Sequence, residues 1–304
     1  MTHPRNAKIV IGHDEAIASF KKLIASGKLH HAWLLYGPKG IGKASSAYLF
    51  AKELLQNNSH DDRTFKLIEN NTHPDMFVIE SENEDDEIGS EIKVDQVREL
   101  LSFLHTTPAL SKRKVVIIDS VEMLNNNAAN ALLKALEEPS LHITFLLVCN
   151  SFRNLPATIK SRCAVLKFNA LGLEEFARVL GSNASDTKSV YELSYGSLSI
   201  AQVIAKPENL ELLKQVKGVV NSGAQSLSQL IKLKKSLSND ESWHCFTYVI
   251  LRLIMDKIKQ TALEGENVEP LLQWYTKTSE ALKEQEIFNL DRENVALNIF
   301  SNNQ

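Results

Sequence analysis

The stretch Ala32-Trp33-Leu34-Leu35-Tyr36-Gly37-Pro38-Lys39-Gly40-Ile41-Gly42-Lys43-Ala44 decides the fold. Ala32 to Tyr36 is a short run of apolar and aromatic residues, which reads as a buried strand. Lys43 to Gln56 follows with Ala47, Phe50, Ala51, Leu54 and Leu55 on one helical face. Between them lies Gly, four residues, Gly, Lys: the phosphate-loop pattern in its strand-to-helix context. Glycines let backbone N–H groups converge on phosphate oxygens, and the helix N-terminus adds positive potential. In this pattern Gly37, Gly40, Gly42 and Lys43 are the candidate nucleotide-binding residues, with Lys43 reaching the β- and γ-phosphates.

Outward from this loop the same alternation continues. Met76–Glu80, Lys114–Asp119, Ile143–Cys149 and Ala164–Phe168 read as further strands. Helical patterns at Val94–Leu104 and Asn125–Glu138 lie between them, the latter closed by Pro139. Strands apolar throughout and separated by helices predict a five-stranded parallel sheet covered on both faces. After Phe168 the strand signals stop. Leu171–Leu180, Val190–Ala205 and nearly everything from Glu208 onward have helical patterns, as with Phe246, Ile250, Leu253, Ile254 and Ile258 on one face. The expected organisation is α/β plus all-α: residues 1–169 as the phosphate-loop domain, 170–206 as a small helical domain, and 207–304 as a helical C-terminal domain. Asn57–Asn71 and the acidic run Glu80–Glu91 are polar enough to read as loops, and the acidic run as a solvated one.

Composition narrows the class. In 304 residues, 34 Lys and Arg against 37 Asp and Glu leave a net charge of −3, unlike a protein that grips nucleic acid by itself. Apolar runs are far short of the ~20 residues that span a bilayer. The first residues carry no apolar secretory stretch. Three cysteines without paired spacing argue against a disulfide framework and a CxxC zinc site and point to a reducing cytoplasm. Cys149 and Cys163 read as small buried hydrophobes. His30 and His31 read as surface or capping residues.

Two departures touch the chemistry of the phosphate loop. Its eighth position, which supplies a Ser or Thr hydroxyl to Mg²⁺, is Ala44. Ser45 would point ~100° away on the helix. Val115–Asp119 has the form of the second nucleotide motif, an apolar strand ending in an Asp that holds Mg²⁺. Hydrolytic versions follow that Asp with a Glu; here Ser120 stands there, and Glu122 belongs to the next turn. Two parts needed for hydrolysis are thus absent independently. Whether the loop retains ATP or ADP without productive magnesium stays open at this point.

Three further stretches, Asn127–Pro139 (NAANALLKALEEP), Thr144–Leu147 and Leu155–Cys163 (LPATIKSRC), are hard to obtain together by chance. With Thr72-His73-Pro74-Asp75 and Ile11-Gly12-His13 they resemble the clamp-loader branch of the AAA+ proteins over roughly residues 8–200, most of all the delta-prime type of bacterial DNA polymerase III. The resemblance implies an AAA+ domain, a small helical lid and a helical collar in a five-subunit ring that opens a sliding clamp and places it on primed DNA. It implies gamma/tau-type and delta subunits as direct partners, the clamp and primer-template DNA as indirect ones, and a place in the cytoplasmic replisome at the nucleoid, with no membrane. It also implies that Arg162 is an arginine finger reaching in trans to ATP on a neighbouring subunit. A planar, permanently charged guanidinium suits that task, and such a finger can be worth ~10³–10⁵ in rate.

The lid arginine of active relatives is replaced at Ser199 within Gly196-Ser197-Leu198-Ser199, and the four-cysteine zinc module of many relatives has no cysteine in the matching region, so no zinc is expected. Asn150 occupies the place of the family's polar sensor of the γ-phosphate, a role left in doubt by Ala44 and Ser120. In the family, DNA contact lies partly on the helix holding Asn130 and Lys134, and no DNA-binding residue is singled out. The expected function is a non-hydrolysing stator subunit. The competing readings are an ATP-hydrolysing gamma/tau-type subunit or other AAA+ motor, and a phosphate-loop kinase or small-molecule NTPase. Ala44, Ser120 and Ser199 weigh against the motor; the second lacks the NAANALLK and SRC stretches.

Overall fold

A computed structural model describes residues 3–56, 62–80, 91–139, 142–180, 187–222, 232–234, 236–237 and 239–301. The residues cluster into two units, Met1–Glu175 and Phe176–Gln304.

In the first unit five strands run parallel: β1 (Ala32–Tyr36), β2 (Met76–Ile79), β3 (Lys114–Ile118), β4 (Ile143–Cys149) and β5 (Ala164–Lys167). Their order across the sheet is β2-β3-β4-β1-β5. Leu34 of β1 faces Leu147 of β4 on one side and Val165 of β5 on the other. β3 and β4 are buried at every position, which follows from helices on both faces. One face packs Leu34, Val116, Phe145 and Leu147 against α4 (Val94–Leu104), α5 (Asn126–Glu137) and the short α6 (Ala157–Lys160). The other packs Leu35, Val115, Ile117 and Leu146 against α1 (Asp14–Ala25) and α2 (Lys43–Leu55), where Phe20 stacks on Phe50 at 3.9 Å between ring centres.

Local chemistry sets the element ends. Asn125 caps α5, its side-chain oxygen accepting from the Ala128 N–H at 2.9 Å. Asp75, fully buried just before β2, accepts from the N–H groups of Ala109, Leu110 and Ser111 at 2.5–2.7 Å. Three backbone donors satisfy this buried carboxylate and hold the turn that feeds β3.

Two sequence expectations are corrected. The segment read as a loop from Asn57 to Asn71 contains α3 (Asp62–Glu69), because Ile68 drives one face fully into the sheet core. The expected continuous helix Val190–Ala205 is two, α8 (Thr187–Ser194) and α9 (Leu198–Ile204). Tyr195 and Gly196 separate them with φ of 51° and 73°, left-handed values that end a right-handed helix. Most of the acidic run, residues 81–90, lies outside the described residues.

The second unit is helical. It contains α8, α9, α10 (Pro207–Ser222), α11 (Asp240–Leu263), α12 (Glu269–Phe288) and α13 (Arg292–Ser301), preceded by α7 (Leu173–Leu180), which begins at the end of the first unit. Phe246, Ile250, Ile254 and Ile258 on α11 form the buried stripe expected from their spacing, while Leu253, expected on the same face, is half-buried. Two indoles anchor it: Trp243 donates to Gln285 Oε1 at 3.1 Å, and Trp274 to the Ile299 carbonyl at 2.8 Å. Among the described residues no helix is long and apolar enough to cross a membrane.

Candidate functional site

All five strands point their C-terminal ends the same way, and the phosphate loop lies there, after β1. Gly40 and Gly42 adopt φ of 77° and 100°, conformations that L side chains rarely take. A Cβ on Gly37 would stand 2.2 Å from the carbonyl oxygen of Phe168, just past β5. The Gly37 N–H donates to the Cys149 carbonyl at 3.3 Å. His13 braces the loop from α1, its ring Nε2–H donating to the Ile41 carbonyl at 2.7 Å while its face meets Phe168 edge-on at 4.8 Å. Burial lowers the His13 pKa, and the bond to Ile41 opposes that shift.

Lys43 opens α2 and is 3% exposed. Its ammonium donates to the carbonyl of Pro38, within its own loop. Burial lowers its pKa to about 8, against the attraction of Asp119 and then Glu122. Asp119 follows β3, and its backbone N–H donates to Ile79 at the end of β2. Burial raises its carboxyl to about 6, with Glu80 adding repulsion and Lys43 opposing. The structure therefore brings Gly37, Gly40, Gly42, Lys43 and Asp119 to one place.

Ser120, Glu122 and Asn150, named in the sequence around this motif, join them, and so does Glu80, which the sequence pattern did not single out for this place. Glu80 ends β2 beside Asp119. Its Oε1 accepts from the buried Tyr48 hydroxyl at 2.5 Å, and its Oε2 meets His3 at 3.3 Å and Arg5 at 3.5 Å. These contacts tie the 3-10 turn Pro4–Asn6 to the end of β2. Glu122 Oε1 accepts from the Asn150 N–H at 2.9 Å, and its Oε2 is buried without a partner among the described residues. Asn150 Nδ2 donates to Ser120 Oγ at 3.1 Å. Ser120 itself is left-handed, with φ of 60°. Burial and then Glu122 push the Cys149 thiol up to about 12, and burial does the same for Cys163. Neither is a reactive thiolate.

A Mg²⁺–nucleotide fits one half of this site. The glycine geometry and the α2 N-terminus are in place for phosphate oxygens. The half that would hold the metal keeps the Asp119 carboxylate but lacks the hydroxyl ligand. Ala44 has no hydroxyl, and Ser46, the next buried hydroxyl on α2, is committed to the Gly42 carbonyl at 2.9 Å. Ser199 sits in α9 beside Ser197 at 3.2 Å between their oxygens.

Arg162 is elsewhere. It immediately precedes β5, at the N-terminal end of the sheet. Its guanidinium pairs with Glu137 at the end of α5 and donates to the Thr158 carbonyl at 2.9 Å. Ala164 is opposite Trp33 in the ladder, so Arg162 and Gly37 lie at opposite ends of β1. The four residues from Trp33 to Gly37 alone span ~13 Å. The surface ion pair with Glu137 is a partner that sequence spacing of 25 residues could not reveal.

Comparison with known proteins gives a consistent family. Residues 12–172 match the family model described as DNA polymerase III, delta subunit. The DNA polymerase III subunit gamma of Buchnera aphidicola subsp. Schizaphis graminum is 31% identical over 283 residues, covering 87% of this chain and 74% of the relative. The DNA polymerase III subunit delta' of Pseudomonas aeruginosa is 42% identical over 183 residues, covering 57% of this chain and 55% of the relative. Among solved structures, a gamma subunit-related protein of DNA polymerase III from Thermotoga maritima aligns with a TM-score of 0.57 over 95% of this chain and 98% of that one. At 18% identity that likeness supports the fold alone.

Proposed function

This chain belongs to the family of DNA polymerase III clamp-loader subunits, and from that premise we propose that it is a subunit of the delta-prime type, a stator that helps place the sliding clamp on primed DNA. Its partners are the gamma/tau-type and delta subunits, and through them the clamp and primer-template DNA. It hydrolyses no ATP itself and lends Arg162 to the nucleotide of a neighbour.

The observation that carries this reading is the placement of the two ends of the sheet. Arg162 stands before β5 and the phosphate loop after β1, with the strand length between them. A guanidinium reaches ~6–7 Å beyond its Cα by its bond lengths, about half that span. Arg162 therefore cannot act on a nucleotide in its own loop, and any phosphate it contacts is another chain's. Ala44, Ser120 and Ser199 support the non-hydrolysing half of the proposal. Gamma-type relatives support a competing reading, an ATP-hydrolysing subunit. In that reading the loop of this chain would need a metal ligand, and position 44 has none.

On this proposal the loop holds ADP or ATP only weakly, through backbone N–H groups and Lys43 released from Pro38, with no productive magnesium and no zinc module. Residues 170–206 act as the lid and 207–304 as the collar. The test is turnover in a loader reconstituted with clamp and primed DNA, native chain against Arg162→Ala. A fall of ~10-fold or more at the adjacent site, with assembly intact, supports the finger. An unchanged rate removes it.

A further inference from the structure

The N-terminal end of the sheet carries a second concavity, distant from the phosphate loop and independent of the reading above. A cavity of about 540 Å³ opens beneath β1, β3 and β4, within the range of ~300–1,000 Å³ usual for small-molecule sites. Its floor and walls are apolar at Ile24, Leu29 and Ile143. Its polar side chains are Lys28, His30, His31, Arg113 and Thr144, and no carboxylate lines it among the described residues.

These groups are underused by the fold. Among the described residues Arg113 makes one hydrogen bond, from Nη1 to the Thr144 hydroxyl at 3.4 Å, and no ion pair. Lys28 likewise has no carboxylate partner among them. The two imidazoles lie 4.2 Å apart, centre to centre. His30 Nδ1 is engaged by the Ala32 backbone, and His31 Nε2 donates to the Leu136 carbonyl at 3.1 Å. His30 Nε2 and His31 Nδ1 have no hydrogen-bond partner among the described residues. Burial lowers the His31 pKa, and His30 lowers it further. A half-buried arginine without a counter-charge is a standing electrostatic cost that an anion relieves. Two ring faces and an apolar floor suit a planar group attached to that anion.

We infer that this cavity binds a phosphate ester of mononucleotide size, its phosphate on Arg113 and Lys28 and its planar part against His30, His31 and Ile143. AMP, without magnesium, is the probe. The imidazole C–H signals of the full chain are followed by NMR during titration with AMP and, separately, with inorganic phosphate. Saturable shifts at His30 and His31, with a Kd below about 1 mM and weaker binding of inorganic phosphate, are expected. Arg113→Gln is expected to weaken AMP by ~10-fold or more, as loss of a charge-assisted hydrogen bond does. Lys28→Gln, an exposed-residue change that leaves the core untouched, is expected to weaken it several-fold. His13, which touches the phosphate loop, reports any binding there. Shifts confined to His13, unchanged affinity in both variants, or inorganic phosphate binding as tightly as AMP would each overturn the inference.

Discussion

Arg162 and Glu137 make opposite predictions from one geometry. In the chain alone the guanidinium is held by Glu137 at the end of α5. To reach a neighbour's nucleotide it must leave that carboxylate. The two side chains are 32% and 48% exposed, so the pair sits in water, and such pairs are worth ~0.2–1 kcal/mol. Releasing it by Glu137→Gln shifts the arm toward its free state by between ~1.4-fold and ~5-fold, no more. Arg162→Ala removes the group entirely, which for a finger in trans costs ~10³–10⁵ in the best-described phosphoryl transfers. The assay is pre-steady-state ATP hydrolysis in the reconstituted loader with clamp and primed DNA, with assembly checked by sedimentation. Arg162→Ala is expected to lower turnover at the adjacent site by at least ~10-fold. Arg162→Lys should fall between, keeping the charge without the planar fork. Glu137→Gln should leave turnover unchanged or raise it within the ~5-fold bound. A loss for Glu137→Gln as large as for Arg162→Ala would refute the reasoning, since the pair would then be the functional unit and not a resting tether.

The remaining predictions concern the phosphate loop. Asp119 has its carboxyl raised to about 6 in the folded chain from its ordinary value of 3.8. The folded state therefore binds the extra proton, so the group's favourable contribution is full below pH ~3.8 and lost as pH rises through about 6. Asp119→Asn should raise Tm at pH 7–8, by at most about 3 kcal/mol in stability, which is the rise from 3.8 to about 6 converted at ~1.4 kcal/mol per pH unit, with the gain vanishing below pH ~4; a constant gain at all pH values would contradict this origin. Gly37→Ala forces a Cβ against the Phe168 carbonyl and should destabilise the N-terminal unit by ~1–3 kcal/mol in urea melts, whereas Gly27→Ala, with nothing within 4 Å but φ of 69°, should cost only its backbone strain of ~1 kcal/mol. Purified alone, the chain should release no phosphate from ATP above a Lys43→Ala control, and Ala44→Thr should not restore turnover while Ser120 remains; steady hydrolysis by the native chain would favour the gamma/tau-type reading.

The parallel sheet and most helices were legible because their cause is local: apolar runs for strands, a 3.6-residue stripe for helices, Asn125 and Pro139 for the ends of α5. The phosphate loop was legible for the same reason, since a glycine pattern within eight residues carries its own geometry. Helix α3 was missed because Asp62, Arg63, Lys66 and Glu69 make its outer face polar, and only the sheet core reveals where Ile68 goes. The break at Tyr195-Gly196 was missed because a left-handed residue is not marked by an apolar pattern. Long-range partners were out of reach altogether. Tyr48 and Glu80 are 32 residues apart, Glu122 and Asn150 are 28, and only the order of the strands brings them together.

That contrast also explains how a phosphate loop persists in a chain with Ala44 where the pattern has a Ser or Thr hydroxyl. The positions that match the pattern have duties in the fold. Gly37 leaves room for the Phe168 carbonyl, Gly42 supplies a left-handed turn into α2, and the Lys43 ammonium caps the Pro38 carbonyl beside Asp119. The positions that depart from it do less: the Ala44 methyl has no polar atom to offer, and among the described residues the Ser199 hydroxyl bonds that of Ser197. Ser120 is the intermediate case, accepting from Asn150 across the strand ends while holding a left-handed φ that a larger side chain would not relieve. The loop thus joins β1, β4 and β5 whether or not a nucleotide occupies it, through Gly37 to Cys149 and Gly37 against Phe168. Hydrolysis can be lost from such a site without loss of the fold, because the groups that serve the metal and the groups that serve the packing are different residues.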